Sequence, residues 1–237
     1  MAAELTRLGQ TLLLVPRVHW LLAEDSPKCS DTVSQFLAKL GLPYTHIASP
    51  MPEPYRKLSQ APRGVSNRRA ALHWVKEHGV DNGVLYFLDD DNAINVNLFE
   101  EMRDTKKVSM WPVGLVGGYS VSSPVLNKGT VVSFYDAWPA GRKFQVDMAG
   151  FAVNVGFMKS QKKVTMPYIA GHEEDGFLKS LCISLADIEA KGNGCTEVSV
   201  WHTRTTKNPL RSISLSKHPK DNIKDLAKNM RSWGIIK

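Results

Sequence analysis

The stretch from Gly83 to Asn92, GVLYFLDDDN, constrains the fold more than any other. Val84 to Leu88 form a short apolar run without charge, the pattern of a strand buried on both faces in a helix-covered sheet. The run ends in Asp89, Asp90 and Asp91. Adjacent carboxylates cannot follow a strand into a core unpaired. They are therefore predicted at the carboxyl end of the strand, where open α/β sheets hold their ligands. Carboxylates suit hard divalent cations, and Mg²⁺ or Mn²⁺ held by few protein ligands usually bridges to phosphate. The competing reading of an acidic triplet alone is a solvated loop that caps the next helix.

The flanking pattern supports the first reading. Leu5, Leu8, Leu12 and Leu13 recur at helical spacing before Pro16, and RVHWLLAED reads as a strand ending in Glu24 and Asp25. A helix over 31–40 stops at Gly41, and YTHIAS is a second strand. A Pro-rich, basic loop then delivers Arg63, Arg68 and Arg69 at the start of a helix reaching about His78, where arginines attract phosphate and carboxylate. After the organising strand come a helix over 96–105 and a strand VSMWPV. Strands alternating with helices imply an α/β fold with a mostly parallel central sheet.

From residue 111 the texture changes. VGLVGGYS, GTVVSFYDAW and AGFAVNVGF are short, Gly-punctuated and strand-like, followed by a helix over 173–183 and a strand EVSVWHT. The chain divides into a nucleotide- and metal-binding half over 1–110, a mixed acceptor-side and catalytic half over 111–211, and a tail over 212–237. In the tail, Ile223, Leu226, Met230 and Trp233 line one helical face with lysines opposite. Nine of the 30 Lys/Arg and two of the 23 Asp/Glu fall in residues 201–237, so the basic character belongs to the tail and the rest is neutral. Such a tail can bind an anionic membrane or nucleic acid but is more often solvated, and no nucleic-acid partner is expected. Cys29, Cys182 and Cys195 form no CxxC pair and suggest neither a zinc site nor a disulfide framework, though they leave room for one bridge. No run is long and apolar enough for a bilayer, and MAAELTRLGQ is not a signal peptide; taken literally, the chain starts in the cytosol.

The chemistry-bearing residues fall at strand ends and helix starts. Asp25, Arg63, Arg68 and the aspartate triplet suit a nucleoside diphosphate and a cation. Glu173 and Glu174 open a helix in GHEEDGFL, and either is a candidate base; His202 and Arg204 follow Trp201 near the last strand. A metal, a diphosphate site and a separate carboxylate suggest group transfer from a nucleotide-activated donor to a hydroxyl.

The strings PRGVSNRRAAL, YFLDDDN, LFEEMR, VSMWPVGLVGG, AWPAGRKFQVDMAGFAV and VWHTRT, in this order, resemble the animal β-1,3-glucuronosyltransferases. The similarity runs from about Ala3 to Pro209. It implies the GT-A fold of nucleotide-diphospho-sugar transferases, and inverting transfer of glucuronic acid from UDP-glucuronate to a terminal galactose with Mn²⁺. The VGLVGG and DAW…R…VDMAGF strings are closest to the proteoglycan-linkage branch, whose acceptor is Gal-Gal-Xyl on a protein. On this resemblance Asp25 contacts uracil, and Arg63 and Arg68 line the UDP-sugar site. Asp89 and Asp90 hold the nucleoside and donor sugar, and Asp91 ligates Mn²⁺. His202 and Arg204 contact the diphosphate side. Trp138, Arg142 and Asp147 shape the acceptor galactose site. The G-x-x-E spacing from Gly171 selects Glu174 over Glu173 as the base, and inversion requires that base opposite the leaving group.

The resemblance also implies a Golgi-lumenal type II membrane protein and a possible homodimer. Three departures stand against it. The sequence begins beyond a strand ending in Pro-Thr-Tyr, so unpaired strand edges are expected. Ser122 stands where the family usually has a glutamate, and the tail after Pro209 diverges. The competing expectations are a non-catalytic relative that binds glycan or a family partner, and a module that binds anionic surfaces through its tail.

Overall fold

The computed structural model describes residues 2–203. Helix α1 (Ala2–Leu12) buries Leu5, Leu8 and Leu12 of the expected stripe, while Leu13 lies just past the helix and is exposed. It leads into β1 (Trp20–Glu24). Helix α2 (Asp31–Leu40) is opened by Ser30, whose hydroxyl accepts from the Val33 N–H, and closed by Gly41 in the left-handed region. Then come β2 (Tyr44–Ala48), the short α3 (Glu53–Arg56) and α4 (Val65–His78). The middle of the chain supplies β3 (Val84–Tyr86), β4 (Asn92–Ile94), α5 (Asn97–Met102), β5 (Val108–Met110) and β6 (Val113–Gly114). A hairpin of β7 (Val121–Asn127) and β8 (Thr130–Tyr135) follows. The last elements are β9 (Phe151–Asn154), α6 (Val155–Ser160), α7 (Glu173–Ser180), β10 (Ile188–Ala190) and β11 (Val200–His202).

The α/β class expected from the sequence is present. The balance of pairing is more mixed than a βαβ repeat implies. β1 and β2 pair in parallel; a second sheet runs β10-β5-β9-β3 and a third β4-β11-β6-β7-β8. β10 with β5 and β11 with β6 are parallel, but β9 enters antiparallel between β3 and β5. Both larger sheets thus draw strands from either side of residue 110.

The organising strand is real and shorter than its apolar run. Along β1 and β3 the side chains alternate between two cores, as a period of two requires. Leu21 and Leu85 pack with the cluster holding Leu72, Val75, Met158 and Phe177. Leu22, Val84 and Tyr86 pack with the cluster holding Leu5, Leu8, Val33 and Leu98. The ladder ends where Tyr86 pairs Ala152, whereas on its other side β9 goes on to pair Phe151 with Met110 of β5. Phe87 therefore leaves the ladder and packs edge-on against Phe151 and Phe177. Among the described residues β1 pairs only with β2, and β3 only with β9, so each keeps one open edge, as expected.

Of VGLVGGYS, read as strand-like, only Val113–Gly114 is strand; β7 begins just after it, and its Pro124 argues against a strand on sequence grounds. It is tolerated because β6 pairs only as far as Ser122, leaving Pro124 free on that side. Among the described residues no helix is long and apolar enough to cross a membrane. The amphipathic tail over 212–237 lies outside the described residues.

Candidate active site

Asp25 directly follows β1. Its Oδ1 accepts from the Met51 N–H at 2.7 Å and from Arg56 Nη2 at 2.7 Å. The first turn of α4 then ties this strand end to the aspartate triplet through consecutive residues. Asn67 Nδ2 donates to the Ala23 carbonyl at 2.8 Å, and Arg68 Nη2 donates to Asp89 Oδ1 at 2.6 Å. Gly64 makes the second contact possible. It caps α4 with φ near 76°, and a Cβ there would stand 2.5 Å from Arg68 Nη1. A side chain there would push the Arg68 guanidinium out of its present position over the helix start.

Asp91 is the triplet member turned inward. Its Oδ1 is buried without a hydrogen-bond partner, while Oδ2 lies 3.8 Å from His202 Nε2. Burial foremost raises its pKa, with Asp89 and Asp90 adding and His202 opposing. A buried carboxylate oxygen without a donor, in a field of like charge, fits a hard divalent cation. Among the described residues no group of three or more His, Cys, Asp or Glu could hold a metal unaided. A cation here would rely on phosphate and water for its remaining positions, as Mg²⁺-type sites do.

His202, the last residue of β11, joins the two sides of the site. Its Nδ1 lies 3.3 Å from Asp147 Oδ2, near enough for an ion pair but too poorly aligned for a hydrogen bond. Asp147 foremost raises the His202 pKa, burial opposes, and Asp91 and Asp89 add. Asp147 itself is fixed because its Oδ1 accepts from the Ala149 N–H at 3.0 Å and so opens a 3₁₀ turn over Met148–Gly150.

The residues expected on the acceptor side gather around α7. Of its three leading acids, Asp175 is structural: Oδ1 accepts from the Lys143 and Phe144 N–H groups and Oδ2 from Lys179 Nζ. Glu174 is the chemically unusual one. Its side chain is 18% exposed, and Oε2 lies 3.9 Å from Arg142 Nη1. Burial pushes its pKa to about 7, with Glu173 and Asp147 also raising it and Arg142 opposing. A carboxyl poised there can exchange a proton near neutral pH. Trp138 is 59% exposed rather than a core aromatic. A Cβ on Gly171 (φ 78°) would lie 3.0 Å from its indole Nε1, so the ring sits beside the turn that opens α7.

The structure thus gathers Arg68 with Asp89, Asp91 with His202 and Asp147, and Arg142 with Glu174. Asp90 is exposed, its carbonyl accepting from Arg7 Nη2. Arg63 is exposed, and its carbonyl accepts from Arg68 Nη1. Arg204 lies outside the described residues. Sequence reasoning missed Arg56, Asn67 and Asp136. Asn67 stands within the quoted PRGVSNRRAAL string, and Asp136 immediately precedes the quoted AWPAGRKF, so both were within reach. Nothing in the sequence flags Arg56.

Residues 8–206 match the model of glycosyltransferase family 43. The chain is 51% identical over 235 residues to galactosylgalactosylxylosylprotein 3-beta-glucuronosyltransferase S of Drosophila melanogaster, covering 98% of this chain and 58% of that protein. It is 46% identical to form P of the same organism, covering 94% and 47%. It is 43% identical to form 2 of Homo sapiens, covering 92% and 68%. The chain therefore spans about half the length of the two Drosophila relatives.

Proposed function

The chain belongs to glycosyltransferase family 43, and from that premise we propose that it transfers glucuronic acid, with inversion, from UDP-glucuronate to a terminal galactose. The β-1,3 linkage to a Gal-Gal-Xyl glycan on a protein is the favoured product, after the names its relatives carry. The α/β arrangement is consistent with the GT-A fold. The observation that carries the reading is His202 lying between Asp91 and Asp147. That residue brings the carboxylate suited to a cation into one site with the acceptor-side acids.

In this reading Asp25 and the Arg68–Asp89 pair hold the nucleoside end of the donor. His202 carries positive charge toward the diphosphate. Asp91 would hold Mn²⁺, which when bound supplies positive charge to the departing diphosphate. Trp138, Arg142 and Asp147 orient the acceptor sugar. Ionised Glu174 takes the proton of the acceptor hydroxyl as that oxygen attacks the anomeric carbon and the bond to UDP breaks. The compartment proposed is the Golgi lumen, on family resemblance alone.

Calorimetric titration with UDP, with and without Mn²⁺, tests the donor half. Metal-dependent binding is expected, followed by UDP release when UDP-glucuronate and a galactose-terminated glycan are supplied together. Binding without turnover would favour the non-catalytic relative. Arg68→Ala should weaken UDP binding about tenfold or more, since it frees Asp89 and removes a charge-assisted donor. Unchanged affinity would remove Arg68 from the donor site.

A further inference from the structure

Behind Arg142 lies an acid that the site described so far does not use. Asp136 follows β8, and its side chain is only 3% exposed. A carboxylate buried to that degree must have its charge and lone pairs satisfied. Its Oδ1 accepts from Arg142 Nη2 at 2.8 Å and from the Trp138 N–H at 2.7 Å. Its Oδ2 accepts from the Ser122 hydroxyl at 2.5 Å. Arg142 in turn donates through Nε to the Trp138 carbonyl at 2.9 Å. The guanidinium is thereby held by the 136–138 turn, while Nη1 donates to the Val146 carbonyl at 3.5 Å and lies 3.9 Å from Glu174.

We propose that Asp136, oriented by Ser122, is a positioning residue that fixes Arg142 and Trp138 against Glu174 and so sets how readily Glu174 gives up its proton. The inference rests on the acceptor-side reading above. Its physical content is a competition between two carboxylates for one buried cation. Asp136 contacts Arg142 at 2.8 Å, while Glu174 stands off at 3.9 Å. Most of the guanidinium charge is therefore answered by Asp136, and Glu174 is left under-compensated in a half-closed site. The other charged groups facing Glu174 are Glu173 on its own helix and Asp147 beside the 3₁₀ turn, both of which disfavour its ionisation. Ser122 closes the arrangement from β7. Its hydroxyl donates to Asp136 Oδ2 and so anchors the carboxylate at its second oxygen. The same contacts tie Trp138 to Asp136 through its backbone, so the exposed indole is presented from a fixed turn.

Asp136→Asn keeps the shape and removes the competing charge. Arg142 is then free to answer Glu174, whose proton should come off at lower pH. Carboxyl NMR titration of the full chain should show the Glu174 midpoint falling by about one pH unit in Asp136→Asn, and by less in Ser122→Ala. Neither reading needs turnover, so they decide the proposal even if the wild-type chain transfers no sugar, an outcome that would defeat the proposed activity separately. With turnover, kcat over KM for the acceptor should fall about tenfold or more in Asp136→Asn, and its acid limb should move down by about the same unit. UDP affinity should stay within about twofold, because the donor side does not touch this network. Should Asp136→Asn fail to fold, Ser122→Ala carries the test. A Glu174 midpoint the same in wild type and the folded variants would overturn the proposal.

Discussion

Glu174→Gln is expected to lower turnover by about 10²–10⁴-fold while leaving UDP affinity unchanged. The amide keeps the volume of the side chain but cannot take a proton as the carboxylate does, and Glu174 sits with Arg142 rather than with Arg68 and Asp89. In the wild-type chain, activity should rise with pH through about 7, because the base works only when ionised. The same raised pKa makes a stability claim of opposite sign. An unfolded chain releases this proton near 4.5, whereas the native site holds it to about 7. Between those values the native state binds more protons, so stability falls as pH rises. Above the window the ionised, half-buried carboxylate costs on the order of 3 kcal/mol. Glu174→Gln lacks that cost. Its thermal midpoint should match wild type at pH 4.5 and exceed it at pH 8. A variant that still turned over would move the base elsewhere. Equal midpoints at pH 8 would mean that the carboxyl is not held in its neutral form.

How much of this was readable beforehand depends on the range of the interaction involved. Helix stripes, the Ser30 and Gly41 caps and the abrupt end of an apolar run in acids are local, and local signals survive in sequence. The proposed choice of Glu174 over Glu173 likewise rests on local spacing from a motif. Its physical basis, that Glu174 is buried beside Arg142 and Asp147, is a tertiary fact. The mixed pairing of the sheets could not be read, because β9 owes its antiparallel place to partners more than forty residues away on either β3 or β5. Pro124 misleads for a related reason: whether a strand tolerates proline depends on how far its neighbour extends. Arg56 and Asp136 were missed because an ion pair across a loop leaves no periodicity. Asp136 in particular reads as one polar residue at the end of a strand-like run, and only its burial with Arg142 and Ser122 gives it a role.

The second large effect concerns Asp91. Asp91→Asn should abolish the dependence of UDP binding on Mn²⁺, raising the dissociation constant measured with Mn²⁺ by about 100-fold or to the metal-free value. The reason is electrostatic. In the native site one oxygen of this carboxylate has no donor, and the His202 imidazole is 3.8 Å from the other. Burial and the adjacent Asp89 and Asp90 already disfavour its charge. Replacing it with a neutral amide therefore removes an unfavourable group from the free protein and a favourable one from the loaded protein. The two states should respond in opposite directions. Without ligands, Asp91→Asn should melt no lower than wild type at neutral pH. With saturating UDP and Mn²⁺, the wild-type midpoint should rise by mass action while the variant midpoint stays where UDP alone leaves it. Manganese resonance spectra of the protein–UDP mixture give a readout independent of turnover: bound Mn²⁺ in wild type, free Mn²⁺ in the variant. If Asp91→Asn kept its metal-dependent binding, the cation would belong to Asp89 or Asp90. The inward turn of Asp91 toward His202 would then serve the sheet edge at β4 and β11 rather than the donor.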